Sequence, residues 1–400
     1  MDKLSVYKNN KKVGHLYKQN DLFVYENDND MKLSYNLPAI LNNLLPEGIN
    51  REEFVIKNNI KNDDFEILKY LNDCLGGFST SKTKKKIIYF EYNYSFKNSF
   101  IYIDDIQIEK PLKDKMQEKF NEVNTSIKVS NVSGQQPKTT AIFEQKGLFN
   151  FLRYPQENEY SNSIVKFHNE KYLYINLVEH LYLQAIKNIG FDTADSLLVI
   201  DKEEYKSEFL REIKTTLIIK RFDRLKTKPK ESYELLSLMG YVSDKKYEVS
   251  IEEIFTFLSK LKKEKQFCQK EINKIAIYYY LSYILQNGDA HPKNIVLFKN
   301  RKKYKVAPFY DIVNTKIYGI KDSLGISLYK DRKVEIFSED ELLKVLQKFV
   351  NIEIFAGLKI QVIKEIENLI IHIPYLDDRF ENLKEALLIS LKNANDNVNG

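Results

Sequence analysis

"IAIYYYLSYIL" (275–285) runs, after a single Gln, into "NGDAHPKN" (287–294). An uncharged apolar stretch of that length reads as a buried helix or post. Directly behind it stands a dense set of proton acceptors, donors and oxygen ligands. Asp289 and Asn294 are five residues apart, the separation between a base and a metal-holding Asn in a D-x-x-x-x-N loop. Working outward, Asp311 in "APFYDIV" comes one short hairpin later, carried by "NIVLFK", the basic turn "NRKKY" and "YKVAPF". The apolar segment is then the rigid support of a loop that does chemistry.

Upstream, the chain is β-rich. "NSIVKF" (162–167) is a strand with Lys166 inside it, and an unpaired Lys is costly to bury in an apolar strand. Its natural partner is Glu179 on the amphipathic helix "INLVEHLYLQAIKNIG" (175–190), which ends at Gly190. "DSLLVID" and "TTLIIKRFDR" read as further strands. Before Lys166, "SIKVSNVSGQQPKTTAIFEQKGLFNFLRYP" alternates apolar and polar residues around a polar turn, the pattern of a hairpin. Val132, Ser133, Gly134, Gln135 and Gln136 fall in that turn, where backbone N–H groups can face a phosphate. Its single Gly departs from a G-x-G-x-x-G loop.

The N-terminal part is different again. Residues 1–28 read as short strands, with the Asn pair of "KNNKK" as a hairpin turn. Residues 36–76 read as helices, with Asp63 or Asp64 capping the second and Gly76–Gly77 ending it. From about residue 230 the pattern is mostly helical, and "NANDNVNG" (393–400) is expected to fray.

The bulk numbers fit this division. A chain of 400 residues is too long for one ordinary core. Its 62 basic and 56 acidic residues give a net charge of +6, too balanced to point to nucleic-acid binding. Two cysteines, Cys74 and Cys268, lie far apart, which argues against a disulfide framework or zinc site. The N-terminus lacks an apolar signal core, and no apolar run is long enough to span a membrane, so the expected location is cytoplasmic.

The expected fold is therefore α+β: a bilobal, protein-kinase-like fold with a β-rich N-lobe and a helical C-lobe, preceded by a small α+β module. The expected boundaries are 1–100, 101–222, 223–392 and a tail at 393–400. In that frame the parts take roles. Asp289 is the base for a substrate hydroxyl. Asn294 and Asp311 hold Mg²⁺. Lys293 neutralises the moving phosphoryl group. Lys166, held by Glu179, meets the nucleotide phosphates. "IIKRFDR" (218–224) crosses between lobes, with backbone near Lys220 and Phe222 against the adenine. His291 belongs with the nucleotide-binding residues, its ring read chiefly as packing and hydrogen bonding that fixes the loop. A lipid or small-molecule kinase, a non-catalytic pseudokinase, and a metal nuclease built on Asp289, His291 and Asp311 remain as alternatives.

Taken together, these motifs resemble the HipA family of bacterial serine/threonine kinase toxins. The resemblance is carried by "LLPEGINREEF" (44–54), "DDFEILKYLNDCLGGF", "VSGQQPK" (132–138), "VEHLYLQAIKNIGF" (178–191), "IKRFDR" (219–224), "KKYE" (245–248), "NGDAHPKN" and "APFYDIV" (307–313), in the family's order. It implies an ATP- and Mg²⁺-dependent protein kinase acting on an aminoacyl-tRNA synthetase, such as glutamyl-tRNA synthetase, to cause growth arrest and persistence. It also implies a small helix-turn-helix antitoxin of the HipB kind, with DNA met only through that antitoxin and no membrane. The family autophosphorylates a Ser in its phosphate loop, often within S-x-S. Here that pair reads Asn131-Val132-Ser133, which points to Ser133, with Ser130 just outside. Lys220 replaces an acidic residue common at the hinge.

Overall fold

The structure is a computed structural model. It describes the chain except residues 1, 20–21, 28–29, 35–36, 72, 82–93, 95, 97–99, 118–135, 147–148, 157–158, 203–212, 225–228, 321, 331–335, 374–375 and 397–400. The expected α+β, bilobal kinase-like architecture is what it shows.

An antiparallel five-stranded sheet opens the chain, in the order Asp30–Ser34, Leu22–Asn27, Lys11–Gln19, Asp2–Lys8, Phe78–Ser81. Its first turn is the Asn pair: Asn9 and Asn10 both have positive φ, as a two-residue hairpin requires. Asp63 caps a helix by accepting from the Phe65 and Glu66 amides. That helix covers only Asp64–Leu68, and Gly76–Gly77 belong instead to a turn leading into the Phe78–Ser81 strand. Leu4, Val6, Leu16, Leu41, Phe65 and Ile67 form this module's own core.

The second sheet has seven strands, ordered Phe100–Tyr102, Ser196–Lys202, Ile213–Lys220, Ser163–Lys166, Lys138–Lys146, Phe149–Arg153, Ile106–Ile108. The two edge strands pair in parallel and the rest antiparallel. Both faces are buried. Ile218 joins one core and Leu217 and Ile219 the other, the alternation a strand imposes. By the same rule Val165 faces the outer core with Phe167, which leaves Lys166 facing the helix Ile175–Asn188.

The helical lobe surrounds the helix Gln269–Ile284, buried on nearly every side. A helix that is apolar all round can only be central. It stops sharply: Gln286 adopts a left-handed φ of 57°, its amide donates to Tyr283 O, and the Asn287 amide donates to Ser282 O. This is a Schellman end made without glycine. Gln286 Nε2 donates to Ser390 O at 2.8 Å, which ties the strained residue to the last helix. That helix, Asp378–Asp396, continues into the stretch expected to fray. The short strands Val296–Asn300 and Lys303–Val306 return the chain toward Asp311. No helix among the described residues is long and apolar enough to cross a membrane.

Candidate active site

Lys166 lies where three elements meet. Its Nζ is 2.7 Å from Glu179 Oε2 and 2.6 Å from Asp311 Oδ1. Glu179 is completely buried and Lys166 nearly so. Burial alone would disfavour the Lys166 charge, but the two carboxylates reverse this and hold its pKa above the usual lysine value. Burial also opposes the Asp311 charge, and there Lys166 and Lys138 win, bringing Asp311 down to about 2. Glu179 goes up, because burial and the nearby Asp311 outweigh what Lys166 gives back. Asp311 holds a positive φ of 57°, uncommon for a non-glycine residue.

The strand around Lys166 is held by a residue that sequence reasoning missed. Asn176, one turn before Glu179, donates to Lys166 O at 3.2 Å, Phe167 O at 3.0 Å and Thr215 O at 2.6 Å. Its Oδ1 accepts from Gln136 Nε2. Gln136 is therefore buried against this helix; Val132, Ser133, Gly134 and Gln135 lie outside the described residues.

The loop after the central helix is built around Asp289. Gly288 must be glycine: a Cβ there would stand 2.7 Å from Asp322 O and 2.8 Å from Thr315 Oγ1. Asp289 Oδ1 accepts a 2.7 Å hydrogen bond from the Tyr247 hydroxyl. Asn294 Nδ2 donates to Asp289 O at 3.1 Å, closing the loop on itself. The Tyr310 hydroxyl donates to Lys293 O at 3.3 Å, joining the Asp311 segment to the loop. Tyr247 lies in the "KKYE" run, whose sequence alone assigns it no contact.

Several expectations need correction. Lys293 is not a free cation beside the reacting group. Its ammonium is 3.1 Å from Glu234 and 3.4 Å from Glu47, and donates to Asn43 O at 2.8 Å. His291 packs edge-on against Tyr247, ring centroids 5.2 Å apart, but neither ring nitrogen has a hydrogen-bond partner among the described residues. Its nearest carboxylate, Asp289, is 3.6 Å away, and burial pushes the imidazole pKa down against that attraction. At the lobe crossing, Lys220 donates its amide to Asp195 O and its ammonium to Tyr94 O, so Lys220 is not an open hinge group. Phe222 packs against Phe298 and Tyr310, beside the approach to Asp311. Beside them, Arg221, Asp223 and Arg224 form a buried ion cluster with Asp73.

The residues present suit a magnesium nucleotide. Asp289 Oδ2, both His291 nitrogens and Asn287 Nδ2 are buried without a hydrogen-bond partner among the described residues. Buried polar atoms left so are expected to meet a ligand or water. No cluster of three His, Cys, Asp or Glu able to cage a metal occurs among the described residues. Asn294 and Asp311 instead offer an amide and a carboxylate, the sparse oxygen set Mg²⁺ uses when phosphates complete its shell.

A β-rich lobe with a buried Lys–Glu pair, over a helical lobe carrying an Asp loop and a second Asp, defines a protein of the kinase-like class. Residues 130–370, more than half the chain, match the HipA-like C-terminal domain, and the chain belongs to that family. A Haemophilus influenzae protein named as an inferred kinase is 29% identical over 198 residues, 47% of this chain. The match spans about half of that relative's length, 53%. The fold is shared with HipA of Shewanella oneidensis MR-1, solved with HipB and operator DNA. That likeness has a TM-score of 0.72 at 16% identity, covering 98% of this chain and 96% of the other.

Proposed function

We propose that this chain is an ATP- and Mg²⁺-dependent serine/threonine protein kinase that acts as a toxin. The observation that carries the reading is Lys166, buried and paired at once with Glu179 and with Asp311, 145 residues away. A buried lysine shared between two carboxylates, next to an Asp loop with an unpartnered carboxylate oxygen, suits phosphate positioning beside a base.

MgATP, when bound, supplies the phosphoryl group. Asp289 accepts the hydrogen of the substrate hydroxyl through Oδ2, while Tyr247 fixes Oδ1. Asn294 and Asp311 would hold Mg²⁺, and Glu179 keeps Lys166 aimed at the phosphates. Lys293 orders the loop through its carboxylate partners. Backbone beside Phe222 is the remaining place for the adenine. The substrate is a protein of translation, an aminoacyl-tRNA synthetase such as glutamyl-tRNA synthetase, and its modification arrests growth. A helix-turn-helix antitoxin of the HipB kind neutralises the chain, a reading supported by the shared fold with a HipA solved beside HipB and DNA.

Phosphorylation of Ser133 would add a charge of roughly −1.5 to −2 to the phosphate loop and repel ATP. Ser133→Ala should abolish loop autophosphorylation, and phosphate mapped to Ser130 would overturn that assignment. The deciding experiment is phosphoproteomics after brief induction of wild type and Asp289→Asn. New phosphoserine or phosphothreonine should appear only with wild type, and equal growth arrest by both would sink the kinase-toxin reading.

A further inference from the structure

The N-terminal module reaches the catalytic loop in two ways, through the Asn43 carbonyl, which accepts from Lys293 Nζ at 2.8 Å, and through the Glu47 carboxylate. Glu47 occupies the N-cap position of the helix Gly48–Asn58, where a short polar side chain such as Asp or Ser turns back to its own helix. It makes no such cap. Its carboxylate points away, 2.7 Å from Lys246 Nζ through Oε2 and 3.4 Å from Lys293 Nζ through Oε1. The second approach is close enough for charge attraction, yet Oε1 has no hydrogen-bond partner among the described residues.

The two lysines are placed tellingly. Lys246 is bonded in sequence to Tyr247, whose hydroxyl holds Asp289 Oδ1. Lys293 is bonded to Asn294, whose amide holds Asp289 O. Glu47 thus ties together the two segments that fix the base, from outside both. Mere docking of the module does not need it. Asn42 and Asn43 already join the helical lobe by neutral hydrogen bonds, to the Ser243 amide and to Ser237, Tyr241 O and the Ser243 hydroxyl. Glu47 adds charge at a place where charge affects the loop. Burial opposes its ionisation, but Lys293 and Lys246 prevail and lower its pKa to about 2, so it is an anion at any working pH.

We propose that Glu47 is a positioning residue of the catalytic loop, so that the N-terminal module is a working part of the catalytic centre. The inference rests on the kinase reading above.

The test compares full-length wild type, Glu47→Gln, Glu47→Asp and Glu53→Gln. Glu53 is a matched control on the same helix, paired across to Lys115 in the β-rich lobe and away from the loop. Initial rates of label transfer from γ-labelled MgATP to lysate protein are measured against ATP concentration. Glu47→Gln should lower kcat about tenfold or more, equivalent to a change of about 1.4 kcal/mol in barrier. The KM for ATP should stay within about twofold, and Glu47→Asp should recover most of the rate. Glu53→Gln should match wild type. A rate for Glu47→Gln equal to wild type, the same loss in Glu53→Gln, or a loss confined to KM would overturn the proposal. Amide hydrogen exchange at residues 289–294 is a readout independent of activity: exchange should speed up in Glu47→Gln and not in Glu53→Gln. Failure of the wild type to transfer label would count against the kinase reading, while unchanged exchange would count against the role of Glu47.

Discussion

Two buried charge clusters, one at the lobe crossing and one around Asp289, are built on opposite rules. At the crossing, Arg221 sits 3.2 Å from Asp73 and 3.1 Å from Asp223, and also donates to the Ser161 hydroxyl at 2.9 Å. Arg224 pairs with both carboxylates and donates through Nε to Ser161 O. The Gly76 amide donates to Asp223 as well. No polar side-chain atom of these four residues is both buried and unpartnered. Around Asp289 the reverse holds: carboxylate oxygen, imidazole and amide are buried with bonding capacity unused among the described residues. A closed cluster has reached its lowest energy and serves structure. An open one carries a desolvation cost of about 1–3 kcal/mol per group that only a ligand or water can offset. The difference distinguishes these two clusters, the closed clamp and the open one, by their bonding alone.

The sharpest way to break this comparison is to remove one carboxylate from each cluster. Asp289→Asn should cost about 10²- to 10⁴-fold in phosphoryl transfer, the range for losing a positioned base. Its melting temperature should hold or rise, since a buried charge with an unpartnered oxygen becomes neutral. Asp223→Ala should do the opposite. It leaves two buried guanidinium groups short of a partner and should cost about 3–5 kcal/mol of stability, read by urea or thermal unfolding. If Asp223→Ala unfolds no more easily than wild type, the clamp is not structural and the contrast fails.

Acid should act on the clamp too. Burial opposes the Asp223 charge, but Arg221 and Arg224 win and hold its pKa near 2. A carboxyl depressed in the folded state adds stability above its unfolded pKa of about 4 and loses it as pH falls toward the folded value. The wild type should therefore lose more stability than Asp223→Ala between about pH 4 and pH 2, measured by unfolding at stepped pH. An equal loss in both would place the acid sensitivity elsewhere, among the other depressed carboxylates, which include Asp311, Glu47, Asp63, Glu231 and Asp377.

The open cluster is easier to read in the sequence than the closed one. Strand alternation puts Lys166 opposite a helix that carries Glu179, so that pair is local in pattern. Asp289, Asn294 and Asp311 follow from spacing and from an apolar post ending in a polar loop. The clamp gives no such signal, because Arg221, Asp223 and Arg224 in a short connection look like a solvated strand end. Only partners from elsewhere in the chain, Asp73 and Gly76 of the N-terminal module and Ser161, show that they are buried. Lys293 misleads for the same reason: its partners Glu47 and Asn43 come from the N-terminal module, far away in sequence. Tyr247 sits in a visible run, but its contact crosses from one segment of the helical lobe to another. Periodicity reports which face a residue occupies, and it cannot report what a distant element brings to that face.

Tyr247 offers the finest probe of the open cluster, because its hydroxyl is the only described side-chain hydrogen bond to the Asp289 carboxylate. Tyr247→Phe keeps the ring against His291 and removes that one donor. A hydrogen bond to a charged group is worth about 1.5–3 kcal/mol, and part of this should return as water enters, so a fall of about tenfold in kcat is expected. Stability should barely change. A loss of stability as large as the loss of rate would mean that Tyr247 only shapes the pocket and does not act through the Asp289 carboxylate.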